Sequence, residues 1–253
     1  MIKVSAAIIT FNEEIIIEKT LSKLNWCDEI VIIDSGSSDK TLEICEKYGC
    51  KIYHNDFQGF GQQKQLALDK CKNDWVLSID ADEVLSDTLR DELINTFKTD
   101  KIHYNGFYLP FATHYLGKTL KFCGLRHEKH LRLINKKHAH FTTPKVHESI
   151  IVNGEVSKMK NKVIHYTYRN ISHQLSKMNI YTDNAASEYF KRDKKISKFK
   201  IISKFPVSFF NIYFIKGGIL DGYSGFMWSL FSAFYTSLKY AKLLEKKQQN
   251  MLL

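Results

Sequence analysis

Proline and glycine are scarce, with 3 and 12 among 253 residues, which excludes collagen-like and linker-like chains. Cysteine is too sparse for a disulfide scaffold. Cys27, Cys45, Cys50, Cys71 and Cys123 form no C-x-x-C pair and leave one over, so they read as reduced cytosolic thiols and not as a zinc knuckle. No uninterrupted apolar run approaches the roughly 18 residues of a transmembrane helix, so none is expected. The apolar run from Val4 to Thr10 is too short for a secretory signal and runs into Asn12, Glu13 and Glu14. Internal repeats and low-complexity tracts are missing. So is the G-x-x-x-x-G-K-[ST] string of a P-loop nucleotidase.

Against these absences stand 44% hydrophobic, 25% charged and 13% aromatic residues, the profile of a folded chain. The length suits one domain of about 200–250 residues, or one domain with an appendage. Lys and Arg outnumber Asp and Glu by 37 to 27, a net charge of +10. Such a chain prefers anionic partners: nucleic acid, phosphorylated metabolites or an anionic membrane surface. No RNP-like, KH-like or helix-turn-helix signature accompanies the charge, so nucleic acid is not expected.

The first third alternates between apolar runs and amphipathic ones. Val4–Thr10, Glu29–Asp34, Cys50–His54 and Trp75–Ile79 read as strands; Glu13–Leu24, Lys40–Tyr48 and Gln62–Lys72 read as helices, with Asp39 as an N-cap. Near-continuous apolar strands joined by helices predict an α/β fold, a mostly parallel sheet with helices on both faces. From Asn105 to Tyr168 the pattern shifts to short strands, with Asn105–Ala112, Lys129–Ile134 and Val163–Tyr166 the clearest. A helix follows over about Ser172–Phe190, and a long one over Phe226–Leu244. The expected division is 1–110, 111–190 and a helical C-terminal segment 191–253.

In open parallel α/β sheets, ligands bind beyond the carboxyl ends of the strands. Here strand one ends at Thr10-Phe11-Asn12, strand two at Asp34 and strand four at Asp80-Ala-Asp82-Glu83. Asp80 and Asp82 are spaced so that one can grip a divalent cation while the other reaches a neighbouring hydroxyl. Hard Mg²⁺ or Mn²⁺ takes few protein carboxylates and fills its shell with phosphate oxygens and water. Such an ion neutralises charge on a departing diphosphate. A bare D-x-D is weak; one that directly follows a buried strand carries more.

These residues resemble the family 2 glycosyltransferases, inverting enzymes with the GT-A (Rossmann-like) fold. Ile8-Ile-Thr-Phe-Asn-Glu-Glu14, Ile32-Ile-Asp-Ser-Gly-Ser-Ser-Asp-Lys-Thr41, Gly59-Phe-Gly-Gln-Gln-Lys64 and Trp75-Val-Leu-Ser-Ile-Asp-Ala-Asp-Glu83 carry the likeness over roughly residues 2–110. More narrowly the chain looks like the lipopolysaccharide-core glucosyltransferases of the WaaE/KdtX type, through Val146-His-Glu148 and Lys216-Gly-Gly-Ile-Leu-Asp-Gly222. The resemblance implies a UDP-sugar donor and a saccharide or glycolipid acceptor. Phe11 would stack on uracil beside Thr10, Asp34 would hydrogen-bond the base, and Lys64 would lie near the nucleotide. Asp80 would contact the ribose, Asp82 would hold Mg²⁺ or Mn²⁺, Arg132 would touch the diphosphate, and Glu148 would be the catalytic base. The chemistry fits, since direct displacement at an anomeric carbon needs a base on one side and charge stabilisation on the other.

Each residue also has a plainer reading. Asp34 could cap its own turn, Lys64 could be a surface lysine, Phe11 could be core, and Glu148 a solvated strand residue. His127, His130, His138, His140, His147 and His165 are irregularly spaced and form no H-E-x-x-H, against a structural zinc. His147 could orient Glu148. No Q-x-x-R-W string follows Glu148, which argues for addition of one sugar, glucose being expected, and not for polymerisation.

Lys191–Lys204 carries seven Lys/Arg and one Asp and runs into Phe205, Phe209, Phe210, Tyr213 and Phe214. That composition suits peripheral attachment to the inner face of the cytoplasmic membrane, where aromatics favour the interface. The alternative is a solvated helical face. Two remoter functions are a phosphatase, since Asp80-Ala-Asp-Glu-Val84 fits D-x-D-x-[TV], and a non-catalytic membrane module. Three strands before that motif oppose the first; Asp82 and Glu148 together oppose the second.

Overall fold

The structure is a computed structural model and describes residues 2–99, 101–142 and 149–251. It divides into two compact units: residues 1–112 with 127–165, and residues 113–126 with 166–253.

The first unit opens with β1 (Val4–Thr10), α1 (Ile17–Leu21), β2 (Glu29–Asp34), α2 (Thr41–Lys47), β3 (Lys51–His54), α3 (Phe60–Lys70) and β4 (Trp75–Asp80). Then come β5 (Glu83–Leu85), α4 (Asp87–Phe97) and β6 (Gly106–Tyr115), whose last residues belong to the second unit with β7 (Lys118–Thr119). β8 (Lys129–Asn135), β9 (Ala139–Phe141), β10 (Ile150–Val152), β11 (Val156–Lys158) and β12 (Val163–His165) complete it.

The sheet order is β3-β2-β1-β4-β8-β6-β12-β5. β3, β2, β1 and β4 run parallel; β8 is antiparallel to β4 and to β6. The parallel order 3-2-1-4 is what right-handed crossovers from a central first strand produce. Period-two alternation then sorts the side chains. Val4, Ala6 and Ile8 with Ile30, Ile32, Trp75, Leu77 and Ile79 face Ile17, Leu21, Leu89, Leu93 and Phe97. Ala7, Val31, Ile33 and Val76 face Ala67 and Leu68 of α3. Both faces are covered, so the strands read as continuous apolar runs and not as alternating ones.

The helices depart from expectation in two places. The first helix is shorter than Glu13–Leu24, because the backbone N–H groups of Glu13 and Glu14 donate to Thr41 Oγ1 (2.8 Å) and Asp39 Oδ2 (3.2 Å) of the neighbouring loop. Helix α4 was not foreseen; Ser86 caps it by accepting from Leu89 N at 3.2 Å.

The second unit is helical: α5 (Ile171–Lys191), α6 (Lys198–Phe210), a π turn at Asn211–Ile215, a 3₁₀ turn at Gly218–Asp221 and α7 (Gly222–Met251). Ala186, Tyr240 and Leu243 form its core, with Tyr189, Phe190, Ile196 and Ile201 packed on them. The Lys216–Gly222 string is a structural knot here. Buried Asp221 accepts from the backbone N–H of Lys121 (3.0 Å) and Phe122 (2.9 Å). A Cβ on Gly225 would lie 2.0 Å from the Gly218 carbonyl oxygen, so only glycine fits there. All five cysteines are free thiols. Among the described residues no helix is long and apolar enough to cross a membrane.

Candidate active site

The parallel register sets the geometry. Thr10 lies beside Asp34, and Ile9 beside Asp80, so the three strand ends reach one edge together. Phe11 follows immediately and is 56% exposed, an aromatic face turned to water and not a core residue. Asn12 next to it takes a left-handed backbone (φ 55°) and links the two neighbouring loops. Its N–H donates to Ser37 Oγ (2.9 Å) and its side-chain oxygen accepts from Ser38 N (2.8 Å).

Asp34 is 2% exposed. Its carboxylate accepts from Gly36 N (2.8 Å), Ser37 N (2.9 Å) and Ser37 Oγ (2.5 Å). The turn-capping reading is therefore realised, and three of about four acceptor sites are used. The remaining one, and the buried Thr10 hydroxyl that has no hydrogen-bond partner, are open polar valences at this edge.

On the other side of β1, Lys64 reaches in from α3, only 5% exposed, and meets Asp80 Oδ1 at 2.9 Å. It is no surface lysine. Arg132 of β8 donates to Asp80 Oδ2 at 3.1 Å and to Glu83 Oε1 at 2.5 Å. Its guanidinium also lies 5.7 Å over the Phe111 ring. Burial alone would raise the Asp80 pKa, but Lys64 and Arg132 outweigh it and hold the carboxyl well below the usual range. Glu83 goes the other way: burial and the Asp80 charge raise it despite Arg132.

Asp82 has a different environment. It faces His165, whose Nε2 lies 3.5 Å from Asp82 Oδ2. Burial would depress His165, but Asp82, Glu83 and Asp80 raise its pKa. Phe111 makes edge contacts with His165 (6.2 Å) and His130 (4.7 Å), and His130 pairs with Glu128 at 3.0 Å. Among the described residues no cluster of three or more His, Cys, Asp or Glu could hold a metal. The donor set at Asp82 still suits a hard divalent cation, which needs only one or two protein oxygens when phosphate supplies the rest. Glu148 and His147 lie outside the described residues.

Sequence reasoning gave Glu83, Glu128 and His165 no role. His165 was weighed only as a zinc ligand, and its pairing with Asp82 comes from β12 lying against β5, with His165 opposite Glu83. No local spacing encodes that pairing.

Parallel strands that end together on an aromatic, a buried acid and a D-x-D define an α/β unit of the GT-A kind. Residues 5–108 match the family model Glycosyl transferase family 2. An uncharacterized glycosyltransferase of Rickettsia bellii (strain RML369-C) is 34% identical over 98% of this chain and 88% of its own length. The lipopolysaccharide core biosynthesis glycosyltransferase LpsC of Rhizobium meliloti (strain 1021) is 31% identical over 96% of this chain and 92% of its own. Among solved structures, Staphylococcus aureus TarS 1-349 in complex with UDP is 26% identical over 47% of this chain and 38% of that one, with a TM-score of 0.38. The chain belongs to glycosyl transferase family 2 and is a glycosyltransferase.

Proposed function

We propose that the chain transfers one hexose, glucose foremost, with inversion, from a UDP-sugar to a lipopolysaccharide core or a related lipid-linked saccharide. The observation that carries this is the common edge of Thr10, Asp34 and Asp80, with Asp82 just beyond. The likeness to a lipopolysaccharide-core enzyme over nearly the whole chain supports the acceptor class. The second reading, transfer in another surface-polysaccharide or glycolipid pathway, uses the same site with a different acceptor.

In this reading residues 1–110 hold the donor, 111–190 the acceptor, and 191–253 the membrane. Phe11 stacks on uracil; Thr10 and the spare acceptor of Asp34 hydrogen-bond the base. Lys64 and Arg132 keep Asp80 ionised, so it accepts from a ribose hydroxyl. Arg132 also sits within reach of the diphosphate. Asp82 holds Mg²⁺ or Mn²⁺, with His165 orienting its carboxylate; when bound, that ion neutralises charge on the departing UDP. Glu148 takes the acceptor hydroxyl proton as the new C–O bond forms and the bond to diphosphate breaks. The basic, apolar C-terminal unit rests peripherally on the inner face of the cytoplasmic membrane, where such acceptors reside.

A panel of nucleotide sugars with Mn²⁺, scored for UDP release with and without truncated core saccharide, tests the reading. Acceptor-dependent release from UDP-glucose is expected. Asp82→Ala should abolish metal-dependent transfer and keep the thermal melt; full activity would remove the metal role. Glu148→Gln should keep UDP binding and lose turnover; unchanged turnover would move the base elsewhere.

A further inference from the structure

The helical unit contains a cavity of about 350 Å³ lined by α5 and α7, with Ile212 of the π turn at its wall. That is near the lower end of the roughly 300–1,000 Å³ of small-molecule sites. Trp228, Phe231, Tyr235, Tyr168 and Met178 face it, and no charged residue lines it. Two of its polar groups are engaged: Thr236 Oγ1 donates to the Ser232 carbonyl (2.9 Å), and Gln174 Oε1 accepts from the Tyr115 hydroxyl behind it (2.6 Å). The rest of the lining is uncharged: aromatic and aliphatic surface, with tyrosine and serine hydroxyls and the amide NH₂ of Gln174, which is 3% exposed. A nucleotide or phosphate does not fit such a lining; a hydrocarbon chain does.

Tyr235 belongs to a second feature. Lys239 Nζ stands 5.2 Å over its ring. Lys194 of the α5–α6 connection, Lys204 of α6 and Lys239 of α7 also lie 5.3, 5.6 and 5.6 Å from the ring centre of buried Tyr240. None of the three has a carboxylate partner among the described residues. The nearby acids are engaged elsewhere: Asp193 with Lys247 (2.7 Å) and Glu188 with Arg192 (3.8 Å). Three converging ammonium groups over tyrosine faces form an anion seat, since ring quadrupoles hold the cations without neutralising them. Burial, together with repulsion from Lys194 and Lys204, lowers the Lys239 pKa against the pull of Tyr240.

Cation seat and apolar cavity thus meet at Tyr235. The π turn that supplies Ile212 continues into exposed Phe214 and Ile215, so the cavity wall is continuous with an apolar surface. We propose that the helical unit binds one membrane phospholipid, its phosphate on Lys194, Lys204 and Lys239 and one hydrocarbon chain in the cavity between α5 and α7. This gives the membrane association proposed above a specific lipid contact.

The test uses the full chain and monomeric lysophosphatidic acid with a brominated acyl chain, below its micelle concentration. Saturable quenching of Trp228 is expected, absent in Trp228→Phe. Affinity should rise about fourfold per added methylene until the cavity is full. The variant K194Q/K204Q/K239Q should bind about a hundredfold more weakly, each lysine being worth about fivefold near an anionic group. The same variant should bind a phosphate-free monoacylglycerol of the same chain length as the parent does. Ser232→Leu, or Ser232→Val where the larger side chain prevents folding, should abolish the chain-length dependence. Glycerol phosphate binding as tightly as the lipid, an unaffected triple variant, or an unaffected Ser232 variant overturns the inference. Vesicle sedimentation is scored separately. A protein that sediments with anionic vesicles but does not bind the monomeric lipid loses this site and keeps its membrane association.

Discussion

In the sheet unit, buried Lys64 and half-buried Arg132 both lie against carboxylates. In the helical unit, Lys194, Lys204 and Lys239 lie against tyrosine rings with no carboxylate among the described residues. Apolar side chains divide the same way. The sheet unit encloses Ile8, Ile32 and Leu77 completely, whereas α6 buries none of its residues and leaves Phe199 81% exposed. A charge withdrawn from water must be neutralised where it sits. One left at a surface among aromatics can wait for an outside partner. The first unit therefore pairs its withdrawn cations internally, whereas the second, on the membrane reading proposed above, would be completed by what it binds.

The largest test of that contrast is Asp80→Asn. It leaves Lys64 and Arg132 facing a neutral amide, with Glu83 as the remaining acid. Breaking a buried pair costs about 3–5 kcal/mol. Because the Asp80 side chain is 29% exposed, we expect the lower end, about 3 kcal/mol, in urea unfolding. Asp82→Asn, two residues on, loses the charge that His165 faces at 3.5 Å and should cost less, under about 1 kcal/mol. Equal losses in both would erase the electrostatic difference between the two carboxylates of the D-x-D.

How far this was legible in advance depends on where the information lies. Strands β1, β2 and β4 are buried on both faces, so their apolar runs are continuous and their ends, with Thr10, Asp34 and Asp80, could be read directly. Helix α4 carries its signal too, in Leu89, Leu93 and Phe97 at four-residue spacing, but the intervening residues are polar and the stripe is narrow. The pairing of Asp82 with His165 was not readable, since it depends on β12 lying against β5. Nor was the lysine cluster, whose members stand on α6, α7 and the α5–α6 connection and are brought together only by helix packing.

An intermediate effect is expected at Glu29, another buried acid of the sheet unit. It accepts from Ser5 Oγ (2.6 Å) and Lys72 N (2.6 Å) and pairs with Lys51 (2.8 Å). Burial opposes its ionisation, but Lys51, Ser5 and Lys72 prevail and lower its pKa. Glu29→Gln should cost about 2 kcal/mol at neutral pH. A depressed folded-state pKa contributes stability above the unfolded value, about 4.3, and loses it as pH falls through the folded value. The gap in unfolding free energy between parent and variant should therefore narrow below about pH 4. A gap independent of pH would mean that hydrogen-bond shape, and not charge, holds this corner.

The smallest effect on stability belongs to the helical unit's surface, and that is its use as a test. Phe199, Ile202 and Val207 of α6 are 81%, 73% and 66% exposed, so replacing all three with serine removes almost no buried area. Thermal unfolding should shift by no more than about 0.5 kcal/mol equivalent per site. Sedimentation with anionic vesicles should nonetheless fall roughly tenfold or more, because these side chains would lose an apolar interface that the folded chain itself does not provide. Lysines without counter-charges beside them should make the parent's binding salt-sensitive, weakening as the screening length shrinks. If the serine variant melts several degrees lower, α6 is packed against something within the chain, and the contrast between a self-sufficient unit and one completed from outside fails.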